Sequence, residues 1–122
     1  FEPDFIVVDS LSSVLNAFTD EGMEYRKYVE DLFRYLEDLD CTTFLISETL
    51  EDSTKYSPTG VEEFLADGVI VLYNFRRGNV RERAIEVLKM RGSKHQRKLA
   101  AMSIEDGGME VYPGQEVFSA VD

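Results

Sequence analysis

The chain has 122 residues, 43% of them hydrophobic, which is enough for one domain with a real core. Its 13 Lys and Arg against 24 Asp and Glu give a formal net charge of −11, which disfavours broad binding to nucleic acids or anionic membranes. The charge is uneven: residues 73–98 hold nine basic and two acidic residues, whereas residues 1–72 hold four basic and 17 acidic ones. This distribution favours a localised anion site, or a basic edge that meets an acidic edge of a partner.

The chain has one cysteine, Cys41, which excludes an internal disulfide and is typical of a reducing cytosol, so we expect a cytoplasmic protein. One Cys and one His argue against a Cys/His zinc site. The sequence has neither an apolar run of transmembrane length nor a signal peptide, so we expect no membrane association. Phe1 is not a start methionine and a strand follows almost at once, so we expect that part of a larger domain lies upstream or was lost.

The first predicted element is a short strand that begins at Phe5 and ends in Asp9 and Ser10. Its continuous apolar run is typical of a strand that is buried on both faces of a parallel sheet. A carboxylate at the carboxyl end of such a strand lies where α/β proteins bind ligands. The same form is seen in the Walker B element, whose Asp holds Mg²⁺, usually through water. The alternative is that Asp9 caps the next segment.

The next elements complete a βαβ unit. Residues 11–18 predict a loop with a short helical turn, and residues 21–39 carry the i, i+3, i+4, i+7 apolar spacing of an amphipathic helix. Residues 41–48 predict a second apolar strand, so the two strands should be parallel. Asp9 and the pair Ser47 and Glu48 would then lie at neighbouring strand ends on one edge of the sheet, which is better evidence for a site than either end alone.

Shorter elements follow. The polar residues 49–58 predict a functional loop, and Thr59 with Glu62 matches a helix capping box. The remaining predicted elements are a helix over 61–66, a strand over 69–75, a hairpin turn over 76–79, a basic strand over 81–91, and short strands over 102–106 and 109–112.

The basic strand carries most of the positive charge. Because side chains alternate along a strand, we expect Arg81, Arg83, Ile85, Val87, Lys89 and Arg91 on one face and Glu82, Ala84, Glu86, Leu88 and Met90 on the other. Lys89 and Arg91 would project together before a turn, with Met90 as an anchor behind them. Two neighbouring cations suit an anionic group such as a phosphate. The alternative is a solvated edge strand whose charges discourage aggregation.

Three segments together resemble the KaiC family within the RecA-like ATPases: residues 4–11, 60–72 and 77–95. The match spans roughly Asp4 to Tyr112; the last two segments are specific, whereas the first would fit any RecA relative. The resemblance implies an α/β fold, namely a partial RecA-like three-layer fold with a parallel βαβ core followed by an antiparallel C-terminal hairpin and short strands. Residues 1–113 would be the C-terminal part of an ATPase domain, and residues 114–122 a tail.

The resemblance also implies functions for single residues. Asp9 matches the Walker B aspartate, which contacts the metal. Lys89 and Arg91 match a Lys-x-Arg strand end that reaches the ATP of the neighbouring subunit in a hexameric ring. A Lys and an Arg presented in trans would neutralise the charge that develops on the γ-phosphate, so we expect them to be catalytic. Further nucleotide contacts are implied at Met90, Ser93, His95, Glu105 and Asp106, although Glu105 departs from the family's usual hydroxyl residue.

The sequence departs from the family in one major respect. No Gly-x-x-x-x-Gly-Lys-[Ser/Thr] motif occurs, so the phosphate-binding Walker A loop is not in this chain. The family's paired catalytic glutamates upstream of Walker B are missing too. ATP and Mg²⁺ are therefore expected only if a Walker A half completes the site, and the sequence leaves open whether the chain is an enzyme.

Three functions remain under consideration. The first is ATP binding and hydrolysis in a homo-oligomer, a ring in the complete protein, with other regulatory proteins as further partners. The second is a non-catalytic oligomerisation or interaction module. The third, single-stranded DNA binding as in recombinases, is disfavoured by the net charge and by Glu51 and Asp52, which outnumber Lys55 in the loop that RecA relatives use for DNA.

Overall fold

The computed structural model describes residues 2–16, 22–48 and 60–115, and the chain divides into two units, Phe1–Ala66 and Asp67–Asp122. The first unit contains β1 (Phe5–Asp9), α1 (Leu11–Asn16), α2 (Gly22–Asp38), β2 (Thr42–Ile46) and α3 (Val61–Leu65). The second unit contains β3 (Gly68–Arg77), β4 (Val80–Met90), β5 (Ala100–Glu105) and β6 (Gly108–Tyr112). The predicted elements are thus present, with ends that shift by one or two residues in most cases.

The two strands of the first unit are parallel, as predicted, with Phe5 opposite Thr42 and Asp9 opposite Ile46. Their burial differs from the prediction. Phe5 and Val7 are 68% and 62% exposed, while the alternating residues of β1 are half-buried. The expectation that β1 is buried on both faces is therefore wrong for the described part of the chain, because one face of this two-stranded sheet is largely open there.

The core of the first unit forms where α2 meets α3. The apolar stripe of α2 places Tyr25 and Val29 in full burial, and they cluster with Val61 while Phe33 and Leu65 pack around them. Burial, together with the neighbouring Glu62 carboxylate, raises the pKa of Tyr25 well above its usual value. Neither α2 nor any other described helix has the length and apolar character needed to span a membrane.

α3 begins at Val61, and Gly60 precedes it as the N-cap with φ 82°. Glu62 is buried, and its Oε1 accepts a hydrogen bond of 3.2 Å from the Tyr25 hydroxyl. Thr59, the other member of the predicted capping box, lies outside the described residues, as does the predicted loop over 49–58, so the capping box stays a prediction.

The second unit is an antiparallel sheet with the order β3-β4-β5-β6. Gly78 and Asn79 form the predicted hairpin turn between β3 and β4, and Gly78 has the positive φ of 60° that such turns favour. β3 pairs with β4 along nearly its whole length, whereas β5 pairs with it only from Arg83 to Ile85. β4 is therefore an interior strand at Arg83–Ile85, but among the described residues its basic end has a strand partner on one side, so the alternative of a solvated edge strand stays open for that end.

The pairing of β3 with β4 changes register once, near the end of β4. Ile70 pairs with Val87, but the preceding residue, Val69, pairs with Lys89. Leu88 is therefore an extra residue on β4, which makes a β-bulge. A bulge interrupts the alternation of side chains, so the residues after it change faces relative to those before it.

Because of the bulge, the last residues of the basic strand lie on different faces of the sheet from those predicted. By the register, Lys89 lies on the face of Glu86, whereas Met90 lies on the face of Val87. Lys89 is half-buried and Met90 is 37% exposed, which agrees with this assignment. The strict alternation that we expected through residues 81–91 is therefore wrong beyond Leu88.

Candidate functional site

Asp9 ends β1 at the same edge of the sheet where β2 ends. It lies opposite Ile46, so Ser47 and Glu48 follow at the neighbouring strand end, as predicted. The side chain of Asp9 is exposed, and its carboxylate has no hydrogen-bond partner among the residues that the structure describes. The carboxylate is therefore available to a hydrated cation.

After β1, the side chains that accept hydrogen bonds from the backbone are those of serines, not that of Asp9. The N–H of Ser13 donates to Ser10 Oγ at 3.3 Å, which is the usual contact of a helix N-cap. The N–H of Glu48 donates to Ser12 Oγ at 2.8 Å, which ties the end of β2 to α1. The alternative in which Asp9 caps the next segment is therefore wrong, because Ser10 supplies the cap.

Ser47 carries the most informative polar group at this edge. Its Oγ is buried without a hydrogen-bond partner among the described residues. Buried hydroxyls ordinarily have a partner, so Ser47 is a candidate contact for a ligand or for water held by one. Within the described ranges, no three Asp, Glu, Cys or His side chains converge on a metal site. A cation here would take few protein ligands and keep several waters, as Mg²⁺ commonly does.

The second candidate region lies at the end of β4. The N–H of Arg91 donates to the Asp67 carbonyl at 2.8 Å, and Arg91 Nη1 lies 2.7 Å from Asp67 Oδ1. These side chains are 56% and 77% exposed, so the ion pair contributes only about 0–1 kcal/mol to folding. The contact places Nη1 of the guanidinium beside Asp67 Oδ1. Asp67 was not identified from the sequence. Its place in the sequence could have indicated it, because Asp67 directly precedes β3 and Arg91 directly follows β4, so the hairpin brings the two residues opposite each other.

Met90 contacts the start of β3. A Cβ built on Gly68 would lie 3.2 Å from Met90 Sδ, so the thioether lies directly over this glycine. Met90 thus packs against the start of β3 on the face opposite Lys89, and its side chain remains 37% exposed. Its proposed function as an anchor behind Lys89 and Arg91 stays a prediction.

A tight turn follows Arg91. Gly92 has a φ of 78°, and the Ser93 N–H donates to the Met90 carbonyl at 3.2 Å. His95 is half-buried, and its Nδ1 lies 3.1 Å from the Gln96 carbonyl oxygen. Since a carbonyl only accepts, a hydrogen bond here requires Nδ1 to be the donor. Ser93 and His95 thus follow Lys89 and Arg91 in and just after this turn, and their contact with a nucleotide stays a prediction.

Glu105 and Asp106 lie elsewhere on the sheet. β5 runs antiparallel to β4, with Arg83 opposite Met102, so the carboxyl end of β5 points toward the amino end of β4. Glu105 ends β5, whereas Lys89 lies near the carboxyl end of an 11-residue strand. At about 3.3 Å per residue, these ends lie roughly 30 Å apart. The structure therefore does not gather Glu105 and Asp106 with the residues around Arg91.

Comparisons with known proteins agree on one family. The family model described as ATPase: KaiC matches residues 1–116. The circadian clock oscillator protein KaiC of Synechococcus elongatus is 32% identical over 108 residues, which cover 88% of this chain and 21% of that protein. KaiC 1 of Synechocystis sp. is 29% identical over 113 residues, which cover 93% of this chain and 22% of that protein.

A solved structure is similar as well. The KaiC-like protein of the hyperthermophilic archaeon Pyrococcus horikoshii OT3 superposes with a TM-score of 0.77 and 32% identity, over 90% of this chain and 49% of that one. This chain therefore spans about a fifth of the curated relatives and half of the solved neighbour. The parallel pair, the antiparallel sheet and this neighbour fit a partial RecA-like α/β fold. The chain belongs to the KaiC ATPase family.

Proposed function

We propose that the chain is the C-terminal part of an ATP-binding and ATP-hydrolysing KaiC-like domain, in which Asp9 is the Walker B aspartate. Lys89 and Arg91 contact the nucleotide of an adjacent subunit in a homo-oligomeric ring in the cytoplasm. Activity requires the completed assembly, meaning this chain together with a polypeptide segment that carries a phosphate-binding loop.

The position of Asp9 carries the proposal. Its carboxylate ends a parallel strand, has no described hydrogen-bond partner, and lies at the same edge as the buried Ser47 hydroxyl. These features fit a hydrated Mg²⁺ that Asp9 holds through water, with Ser47 as a hydrogen-bond partner of that water. When bound, Mg²⁺ neutralises charge on the β- and γ-phosphates. Asp9 orients the hydration shell, and Ser10 and Ser12 fix the backbone around the site.

The basic end of β4 supports the second half of the proposal. Lys89 and Arg91 belong to a different unit of the chain from Asp9, and Arg91 Nη1 donates a hydrogen bond to Asp67 Oδ1. In a ring, each subunit then presents these cations to the γ-phosphate held by its neighbour, which stabilises the charge that develops during transfer. Because the cations come from a second subunit, hydrolysis depends on assembly.

The remaining predicted contacts are part of the same proposal. Met90, Ser93 and His95 contact the nucleotide from the strand end and its turn. Contacts from Glu105 and Asp106 require a different part of the sheet to approach the nucleotide, since these residues lie toward the other end of β4.

A second candidate function is a non-catalytic oligomerisation or interaction module. The open apolar face of β1 and β2 favours it, because Phe5, Val7 and Phe44 are more than half exposed and such faces commonly mark interfaces. Sedimentation of the chain with and without ATP distinguishes the candidates: oligomers without nucleotide affinity, even after addition of the phosphate-loop segment, favour the module.

The test of the main proposal is reconstitution. The chain is mixed with a segment that carries the phosphate-binding loop, or expressed in one polypeptide with it, and Mg²⁺-dependent ATP hydrolysis is measured. The proposal predicts turnover that neither part shows alone and that falls in the Lys89→Ala and Arg91→Ala variants. Unchanged turnover in both variants would exclude the trans contact.

A further inference from the structure

We infer that Asp67 is the positioning residue that aims the Arg91 guanidinium at the nucleotide of the neighbouring subunit. This inference rests on the proposed function, since it concerns how one of its contacts is held. Asp67 touches neither the nucleotide nor the metal in this account; it acts through Arg91.

The first argument is the double contact between the two residues. The backbone bond from Arg91 N–H to the Asp67 carbonyl, 2.8 Å, extends the β3–β4 ladder by one residue pair beyond Gly68 and Met90. The side-chain bond from Arg91 Nη1 to Asp67 Oδ1, 2.7 Å, then restrains the far end of the same arginine. A side chain that is tied at both ends loses less rotamer entropy when it meets an anion.

The second argument is the bulge at Leu88. With strict alternation from the hairpin turn, Asp67 would lie opposite Met90, and Arg91 would lie one residue beyond it. The single extra residue changes the register so that Gly68 pairs with Met90, which brings Arg91 opposite Asp67. Bulges often re-aim a side chain next to a functional site. The bulge and the ion pair thus act together on Arg91.

The third argument is the low contribution of the pair to folding. Both side chains are more than half exposed, so water screens their attraction and the pair stabilises the fold by little. A guanidinium has five N–H donors, and the carboxylate engages one nitrogen. Arg91 has no other described hydrogen-bond partner for its side chain. The remaining donors are therefore free, among the described residues, to bind phosphate oxygens while Asp67 holds the group in place.

The experiment measures kcat and KM for ATP in the completed assembly for Asp67→Ala, Asp67→Asn, Asp67→Glu, Arg91→Ala and the double variant Asp67→Ala/Arg91→Ala. We expect Asp67→Ala to lower kcat on the order of tenfold, since small misplacements of a catalytic group are costly. The KM for ATP should change by less than about twofold, because the arginine acts mainly in the transition state. Asp67→Glu, which keeps the carboxylate, should recover part of the loss.

The double variant provides the sharpest readout. If Asp67 acts only through Arg91, Asp67→Ala lowers kcat in the wild-type background but not in the Arg91→Ala background. The matched control is Asp31→Asn, which removes the exposed ion pair of Asp31 with Arg34, 3.3 Å long, and should leave kcat unchanged. Melting temperatures of all variants should stay close to that of the wild type, and Asp67→Asn serves if Asp67→Ala does not fold.

The outcomes separate the two proposals. If Arg91→Ala leaves kcat unchanged, the trans contact fails and the positioning role fails with it. If Arg91→Ala lowers kcat while Asp67→Ala and Asp67→Asn do not, the trans contact survives and the positioning role of Asp67 is wrong. Equal losses for Asp67→Ala in both backgrounds would also overturn it, because Asp67 would then act independently of Arg91.

Discussion

The two units of the chain differ in the charged residue at the end of the strand that carries the proposed site: an acidic residue at the end of β1 and a basic residue after β4. The first unit, residues 1–66, holds four basic and 16 acidic residues, and β1 ends in a carboxylate without a described hydrogen-bond partner. The second unit, residues 67–122, holds nine basic and eight acidic residues, and β4 leads into a guanidinium that is already paired with Asp67. A short carboxylate on a strand end needs no further support, whereas a long cationic side chain needs a partner to fix its direction.

The same contrast appears in how each unit is stabilised. In the first unit, Tyr25, Val29 and Val61 form a buried helix–helix core that includes the Glu62 carboxylate. In the second unit, stability comes from an antiparallel ladder with few fully buried side chains among those described, such as Ala84. We therefore expect substitutions at strand ends to affect activity, and substitutions in the α2–α3 core to affect folding.

The largest expected effect is at Arg91. Arg91→Ala should lower kcat of the completed assembly on the order of 10³-fold, as for an arginine finger, because it removes charge stabilisation of the transferring phosphoryl group. Steady-state ATP hydrolysis measures it. Arg34→Ala, which removes an exposed arginine of α2, is the control and should have little effect. A loss of less than about twofold for Arg91→Ala would show that no trans finger exists here.

Asp9 should show the next largest effect. Asp9→Asn should lower Mg²⁺-dependent turnover about 10- to 100-fold, which is typical for a group that acts through the ligands of a metal. The Mg²⁺ concentration needed for half-maximal rate should rise as well. Asp4→Asn is the control, since Asp4 lies just before the amino end of β1, away from the candidate edge. Equal losses in both variants would point to a general charge effect and contradict the Walker B assignment.

Substitution in the buried pair of Tyr25 and Glu62 should lower the stability of the first unit without changing the rate of ATP hydrolysis. Tyr25→Phe removes a hydroxyl that donates to a buried carboxylate, so we expect a loss of about 1–2 kcal/mol in the free energy of unfolding. Urea unfolding measures this difference. Tyr35→Phe is the control, because Tyr35 is 61% exposed on the same helix and its change should cost little. Equal losses in both variants would contradict a structural contribution of the buried pair.

A smaller effect is expected on the free energy of unfolding at alkaline pH. Burial and the Glu62 carboxylate raise the pKa of Tyr25, so the folded state keeps this proton above pH 10 while the unfolded state, with its usual pKa of about 10, releases it. The contribution of Tyr25 to stability is thus complete below about pH 10 and falls as the pH rises above that value. Urea unfolding between pH 9 and 11 should show a shallower fall for Tyr25→Phe than for the wild type. Parallel curves would contradict the raised pKa.

Much of the fold follows from local sequence patterns. The apolar spacing of residues 21–39 predicted α2, and the short apolar runs around Val7 and Phe44 predicted a parallel pair. Gly78 and Asn79 predicted the hairpin turn because both tolerate positive φ; in the structure Gly78 adopts it and Asn79 does not. These features depend on residues that are near one another in sequence, so one chain is enough to find them.

The features that the sequence analysis missed depend on tertiary structure, namely on strand register and on side-chain packing between elements. Leu88 has no local property that marks a bulge, since the register depends on the whole β3–β4 pairing. The burial of Glu62 beside the Tyr25 hydroxyl depends on how α2 packs against α3, which no local pattern around Glu62 indicates. At the site, the strand pattern alone indicated Asp9 and the basic end of β4. The assignment of Lys89 and Arg91 to a neighbour's nucleotide came from the family resemblance, and Asp67 became visible only in the structure.

The most direct test of the central claim is a mixing experiment with two variants of strongly reduced activity. Asp9→Asn assemblies keep Arg91, and Arg91→Ala assemblies keep Asp9. When the two are exchanged in equal amounts, some interfaces combine an intact Asp9 with an intact Arg91 from the neighbour. We predict that ATP hydrolysis recovers to roughly a quarter of the wild-type rate, as random mixing in a head-to-tail ring requires. A mixture no more active than its two parents, with subunit exchange verified, would contradict the division of the site between adjacent subunits.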